Sequence, residues 1–338
     1  MSQDIGAPLS VEDLCPSDLL EAWEAAFLRD VKRLNAARDR IVAVDCPACE
    51  SAAHEHAFEK YGFNYARCRG CGTLFMTPRP SESLMADYYA NSENYAFWSA
   101  HIFPATDAVR REKIHAGRIE RVLELCDRHA VPTGTLVEVG AGYGTFGSLA
   151  KASGRFERVI AIEPTPEMAE ACRAADLEVI ESRIEDIAAG SLAAEVLVSL
   201  EVIEHLFAPK AFVGRCADLL RPGGLLILSC PNGEGFDIAT LGPASQAVDV
   251  EHVNLFNPGS IEALLRRHGF TEVAVSTPGR LDAEIVREAV LKGVLDLSDQ
   301  PFLRRVLIDE WERLGWSFQQ FLADTGQSSH MWITARRA

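Results

Sequence analysis

The chain has 338 residues, 48% hydrophobic and 24% charged, an ordinary globular composition with room for one large domain and one small one. Its 49 acidic and 33 basic residues leave a formal charge of −16. That argues against a general nucleic-acid or anionic-membrane surface, because phosphate binding is dominated by Lys and Arg contacts. No apolar run reaches the ~18 residues of a membrane span. The opening MSQDIGAPLSVEDLC lacks the basic start and apolar stretch of an export signal, so a cytoplasmic location is expected. Five of the nine cysteines (Cys15, Cys126, Cys172, Cys216, Cys230) lie in otherwise apolar segments and read as buried small hydrophobes in a reducing compartment.

Residues 17–40 predict one amphipathic helix. Asp18 and Glu21 have capping-box spacing, and Trp23, Phe27, Val31 and Leu34 fall on one face. Residues 1–44 therefore form an N-terminal helical segment. A cysteine-bearing module follows at 45–80, with a strand-like FNYARC and a turn-forming linker, TPRPSES, at 77–83. Residues 81–131 read as a largely helical, substrate-side segment. From 132 onward strands alternate with helices, the pattern of an α/β domain with a parallel sheet. Strands are expected at about 135–139, 158–163, 177–181, 195–200 and 224–230. A sixth at 271–277 follows a helix at 258–268, a helical insert occupies 282–324, and a last strand covers 329–336.

Cys46-Pro-Ala-Cys49 and Cys68-Arg-Gly-Cys71 are two CxxC pairs with eighteen residues between them. Each pair lets two thiolates grip one tetrahedral metal, and two pairs close a four-thiolate zinc site at Zn–S distances of about 2.3 Å. With no open position such a zinc is structural, and it stabilises a module too small to fold on its own core. Gly70 and Gly72 suit turns that need positive φ. His54 and His56 are expected on the exposed hairpin between the pairs.

In LVEVGAGYGTFGSLA (136–150), Gly140, Gly142 and Gly144 sit at the end of a strand and before a helix. Missing side chains let the backbone approach a ligand closely, and the free amides at a helix start favour negative groups. Glu163 ends the next strand, placed to accept hydrogen bonds from ribose hydroxyls. Gly142, Gly144 and Gly147 also fit the GxGxxG fingerprint of nicotinamide enzymes. Three features tilt the reading away from those enzymes. The strand ends directly before Gly140, which gives a GxGxG frame; Glu138 stands two residues before it; and the later strands carry LEVIEHL and LLRPGG.

EVGAGYG, AIEP, SLEVIEHL and LLRPGGLLILSCPN resemble, in order and spacing, the motifs of class I S-adenosylmethionine-dependent methyltransferases. The resemblance implies a seven-stranded Rossmann-like sheet whose last strand is antiparallel and inserted before the sixth. It also implies that Gly140, Gly142 and Gly144, with Glu138, line the methionine moiety, that Glu163 binds the ribose, that Ile184 contacts adenine, and that Glu201 stands beside the cofactor. Arg183 departs from the Asp often found before the adenine-contacting residue.

A CxxC…CxxC module joined to this domain, and the stretch PRPSESLMADYYANSENYAFW followed by RREKI, resemble zinc-containing methyltransferases of nucleotide-linked or polysaccharide sugars. Glu251-His252-Val253-Asn254-Leu255-Phe256 resembles the EH…F motif of sugar 3-C-methyltransferases, in which the His acts as base. A neutral imidazole can take a proton from a hydroxyl, or from a carbon beside a ketone. Glu251 would orient the ring or contact the sugar, and His205 is the second base candidate. Asp249 stands where that family has a tyrosine, and its extra C-terminal domain is replaced by the shorter insert. O-methylation of a sugar is therefore expected ahead of C-methylation or an RNA methyltransferase with a structural zinc. Tyr88, Tyr89, Tyr95 and Trp98 either stack on a sugar or pack internally. Arg110, Arg111 and Lys113 either meet a diphosphate or form a solvated face. The insert caps the site, packs as core or forms a homodimer surface.

Overall fold

The computed structural model describes residues 9–338. Residues 1–8 of the segment read as lacking an export signal lie outside them. Seven strands make the central sheet, in the spatial order Phe270–Ser276, His330–Arg337, Leu220–Pro231, Ala194–Leu200, Thr135–Val139, Arg158–Ile162, Glu178–Ile180. The five strands from 178–180 to 220–231 pair in parallel, and His330–Arg337 runs antiparallel to both of its neighbours. The last strand of the chain thus lies between the fifth and sixth.

The inner strands are apolar at nearly every position because helices cover both faces of the sheet. Alternate residues feed two cores. Val137, Val139, Ile160, Ile162, Leu197, Leu226 and Leu228 face one side, where they meet Phe212, Val213, Ile261 and Leu264 of the helices Pro209–Leu219 and Pro258–Arg267. Leu136, Val159, Ala161, Val196, Val198 and Ile227 face the other, against Ile119, Val122 and Phe146. Burial of apolar area is worth about 25 cal/mol per Å², and these two layers are the domain's largest buried apolar clusters.

The cysteine module forms a second sheet of four antiparallel strands, and one comes from far along the chain. His54–Lys60, Phe63–Cys68 and Leu74–Met76 are joined at the edge by Asn254–Leu255, paired with Phe75 and Leu74. The helix Leu20–Ala36 packs Phe27, Val31 and Leu34 on this unit. Its expected capping box is absent. Asp18 lies inside a 3-10 turn, Ser17–Leu19, so it cannot take the extended conformation of a cap, and a box forms instead between Ser10 and Asp13. The segment 77–83 is no loose linker: Arg79–Pro80 pairs with Ile41–Val42, and Arg79 is buried.

Residues 82–128 are almost continuously helical, with wide π-type turns at Trp98–Ile102 and Arg111–His115. Helices Asp282–Leu291 and Trp311–Asp324 lie between the last two strands of the chain, around a small core of Ala283, Val286, Leu297, Val306 and Leu307. Phe302 and Phe321 are exposed there. Cys126, Cys172, Cys216 and Cys230 are buried and unpaired; Cys15 is half-buried. Among the described residues no helix is long and apolar enough to cross a membrane.

Candidate functional site

The two CxxC turns are built alike. Cys46 and Cys68 accept, through their carbonyls, the amides of Glu50 and Gly72, and both of those residues have positive φ. The residue after the second cysteine therefore needs the left-handed conformation, which Gly72 meets freely and Glu50 at a cost. Gly70 keeps an ordinary φ, contrary to expectation; its amide donates to Cys68 Sγ instead. Cys46 Sγ lies 3.5 Å from Cys71 Sγ, and Cys49 Sγ lies 3.4 Å from Cys68 Sγ. Four sulfurs around a tetrahedral zinc stand about 3.8 Å apart, so the donor set fits that ion. His54 and His56 are exposed on the hairpin, as expected.

The strand Thr135–Val139 ends in Gly140, Gly142 and Gly144, with φ of 72°, 55° and 73°. A Cβ on Gly140 would stand 2.5 Å from Val202 Cγ2, so the turn lies directly against the segment that follows the fourth strand. At Gly142 an added Cβ meets nothing within 4 Å. The Gly142 amide donates to Glu163 Oε2 at 2.9 Å, and the Thr165 amide to Oε1 at 3.0 Å. Burial pushes the Glu163 carboxyl up, and both oxygens keep lone pairs for further donors. An open backbone beside a held carboxylate fits a ribose-bearing ligand. Glu138 is buried under the following helix with Oε2 unpartnered, and burial pushes it up to about 8. Ile184 packs into the core with Ile162 and Ile187. Arg183, at the departure from the motif, pairs with Glu82 at 2.6 Å. Phe103 lies on Tyr143, ring centroids 4.0 Å apart, which sets the helical segment 103–115 over the loop.

Glu201 ends the fourth strand at a positive φ of 57°. Its carboxylate accepts from His330 Nε2 at 2.9 Å, Arg118 at 3.3 Å and the Ser229 hydroxyl. Burial alone would raise this carboxyl; the His330 charge and hydrogen bond and the Arg118 charge outweigh it and hold the group well below the usual range. Arg118 and His330 were not singled out from the sequence. The chain separations of 83 and 129 residues leave no local pattern to find them by.

The turn Ile203–His205 carries Glu204 and His205. Asn254 Nδ2 donates to the carbonyls of Ile203, Glu204 and Leu206, and Arg79 donates to Asn254 Oδ1 at 2.7 Å and to the Phe207 carbonyl at 2.6 Å. This clamp brings the segment 251–256 to the end of the fourth strand. The rings of His205 and His252 meet there, centroids 4.7 Å apart. His252 Nδ1 lies 2.8 Å from the Ala247 carbonyl, so Nδ1 carries a proton, and Nε2 has a lone pair when the ring is neutral. Asp249 Oδ1 accepts the amides of Glu251 and His252, a backbone role for the residue that departs from the family pattern. Glu204 is 1% exposed, and neither of its carboxylate oxygens has a partner. Burial pushes Glu204 up to about 8 and His205 down to about 3. Burial would also lower His252, but Asp249, Glu204 and the Ala247 carbonyl reverse that and set it to about 9.

Glu251 does not orient the His252 ring. It is buried and accepts from the Tyr88 hydroxyl and from Asn94 Nδ2, the latter at 2.7 Å, which makes it an internal strut. Tyr88 is itself buried, so it is not open for stacking; Tyr89 reaches His205 Nδ1 at 3.5 Å. The basic residues 110, 111 and 113 are taken up internally, by the Leu14 carbonyl, Ser148 and Asp13 respectively.

Residues 110–275 match the family described as "Methyltransferase domain". Over 99 residues the chain is 31% identical to a probable S-adenosylmethionine-dependent methyltransferase of Mycobacterium tuberculosis, covering 29% of this chain and 35% of that protein. Over 144 residues it is 33% identical to the ubiquinone biosynthesis O-methyltransferase of Xanthomonas campestris, covering 39% of this chain and 58% of that protein. The chain thus spans between a third and three fifths of these curated relatives. Phosphoethanolamine N-methyltransferase 2 of Haemonchus contortus shares the fold, with a TM-score of 0.51 at 16% identity over 78% of this chain and 62% of that one. Residues 110–275 thus match a methyltransferase domain, and the sheet order and the glycine turn agree with that match.

Proposed function

We propose that this chain methylates a hydroxyl of a small molecule, a sugar in nucleotide-linked or polysaccharide form, beside a zinc-stabilised module. S-adenosylmethionine, when bound, supplies a methyl group on a sulfonium. Gly140, Gly142 and Gly144 would hold its amino-acid part against bare backbone, and Glu163 would hold the ribose. With the cofactor bound, an acceptor oxygen would take the methyl carbon as the sulfur–carbon bond breaks, with the electron pair left on sulfur. In the neutral form of His252, whose share grows as pH rises towards about 9, the hydroxyl proton would go to Nε2, while Nδ1 stays on the Ala247 carbonyl and keeps the ring aimed. Alignment of the two reacting atoms supplies much of the rate in such a displacement.

The observation that carries this reading is the meeting of His205, His252 and Glu204 at the end of the fourth strand, next to the turn where Val202 touches Gly140. Two facts support oxygen and sugar as the acceptor: one relative is named for O-methylation, and the sequence 251–256 resembles a sugar-enzyme motif. The four thiols would hold zinc in a structural role. Labelled methyl transfer onto a panel of nucleotide sugars and polysaccharide fragments tests the reading. His252→Ala should lower kcat by roughly 10²–10⁴-fold with cofactor affinity unchanged. Wild-type turnover in that variant removes His252 from the chemistry.

A further inference from the structure

A buried carboxyl whose oxygens accept no hydrogen bond leaves acceptor sites empty at a cost in free energy, and a cation is one group that would fill them. Glu204 is such a group, 1% exposed and with both oxygens unpartnered. It lies beside two imidazoles. One ligand atom from each of Glu204, His205 and His252 falls within 4.8 Å of the others. His205 Nε2 is 3.9 Å from Glu204 Oε1, too long for a hydrogen bond and close to the edge of a coordination polyhedron. His252 has its Nδ1 on a backbone carbonyl, the outer-shell contact that fixes a metal-binding imidazole and frees Nε2. The backbone that presents these groups is held from both sides: Asn254 ties three carbonyls of the 203–206 turn, and Asp249 ties the amides of 251 and 252.

We infer that Glu204, His205 and His252 form a second metal site, distinct from the four cysteines, that takes a divalent transition-metal cation. Two imidazoles and one carboxylate form a donor set that suits zinc, iron, manganese or cobalt better than magnesium or calcium. Bonds of about 2.1 Å require ligand atoms roughly 3.4 Å apart in a tetrahedron, so small side-chain rotations close the triangle. Three protein ligands leave positions for oxygens of a bound acceptor. The inference rests on the acceptor site proposed above and deepens it. With the cation bound, His252 would be a ligand and would no longer be the proton acceptor of the metal-free site; the ion would instead make a ligated hydroxyl more acidic, so that its proton could pass to solvent water.

Cobalt(II) titration of protein whose cysteine site is already filled with zinc tests this. The expected result is one further cobalt per chain, with weak visible bands and no thiolate charge-transfer absorption. Glu204→Gln and His252→Asn should each weaken that binding by at least about ten-fold. Should either variant fold poorly, the unaltered protein gives the answer: cobalt should protect His205 and His252 from diethylpyrocarbonate, read by mass spectrometry. No further equivalent of cobalt, equal binding in both folded variants, or histidines modified equally with and without the ion would each overturn the site. The readout is metal, not methyl transfer. A protein that binds the extra cobalt yet methylates nothing keeps the site and loses the proposed reaction.

Discussion

Gly140→Ala separates two reasons for a glycine at the start of the cofactor turn. The first is conformation. At φ 72° a residue with a Cβ costs about 1–2 kcal/mol. The second is space, since that Cβ would stand 2.5 Å from Val202 Cγ2, and overpacking of this kind costs typically about 1–3 kcal/mol. Together they predict a loss of roughly 2–5 kcal/mol for the single variant. Val202→Ala removes the offending methyl and carries its own modest cost. In the double variant the spatial part should vanish and the conformational part remain. The cycle of four proteins, measured by urea unfolding and by calorimetry with S-adenosylhomocysteine, should show a favourable coupling of about 1–3 kcal/mol. Additivity within about 0.5 kcal/mol would mean that the turn and the 201–205 segment do not touch, and the site geometry built on that contact would fall.

Asp237→Asn should stabilise the protein. The side chain is 2% exposed with Oδ1 unpartnered, and burial with the nearby Asp282 charge pushes its carboxyl up to about 6 from 3.8. A raised folded pKa contributes stability that is present below about pH 4 and lost as pH rises through about 6. The variant should therefore melt higher at pH 7.5, by up to ~3 kcal/mol, and show no advantage at pH 4. An equal gain at both pH values would remove charge burial as the cause. Cys68→Ser should release zinc and loosen the cysteine sheet, read by metal analysis and by faster amide exchange at Phe75 and Leu255. A metal-free protein with unchanged exchange would end the structural role. Glu163→Ala should weaken S-adenosylhomocysteine binding with little change in melting temperature; unchanged affinity would mean that this carboxylate does not hold the ribose.

What could be read from the sequence was local. The largely apolar stretches 136–139, 159–162 and 196–198 predict a sheet covered on both faces, and the sheet contains all three, with the last strand of the chain inserted before the sixth. The glycine turn and the two CxxC pairs are short-range patterns fixed by backbone geometry, so their spacing carries them. The contacts that bring His205 and His252 together are long-range. Asn254–Leu255 is too short to show a strand period, yet it completes the cysteine sheet and delivers His252 to His205. Glu251 looks like a chemical partner of His252 because it is adjacent in sequence. In space its partners are Tyr88 and Asn94, 163 and 157 residues away. Arg79, in a segment rich in turn formers, is buried as the clamp on Asn254 and Phe207. Asp18 has the residue type of a helix cap, but Pro16 opens a 3-10 turn ahead of the helix, and that turn decides the helix entry.

Calorimetric titration of the zinc-replete protein with S-adenosylhomocysteine, alongside NADH, tests the cofactor assignment directly. The account predicts one saturable site per chain for S-adenosylhomocysteine, none for NADH, and a marked loss of the former in Gly142→Val, whose side chain would fill the open face of the turn. Absence of heat with S-adenosylhomocysteine, or binding of NADH in its place, would contradict it.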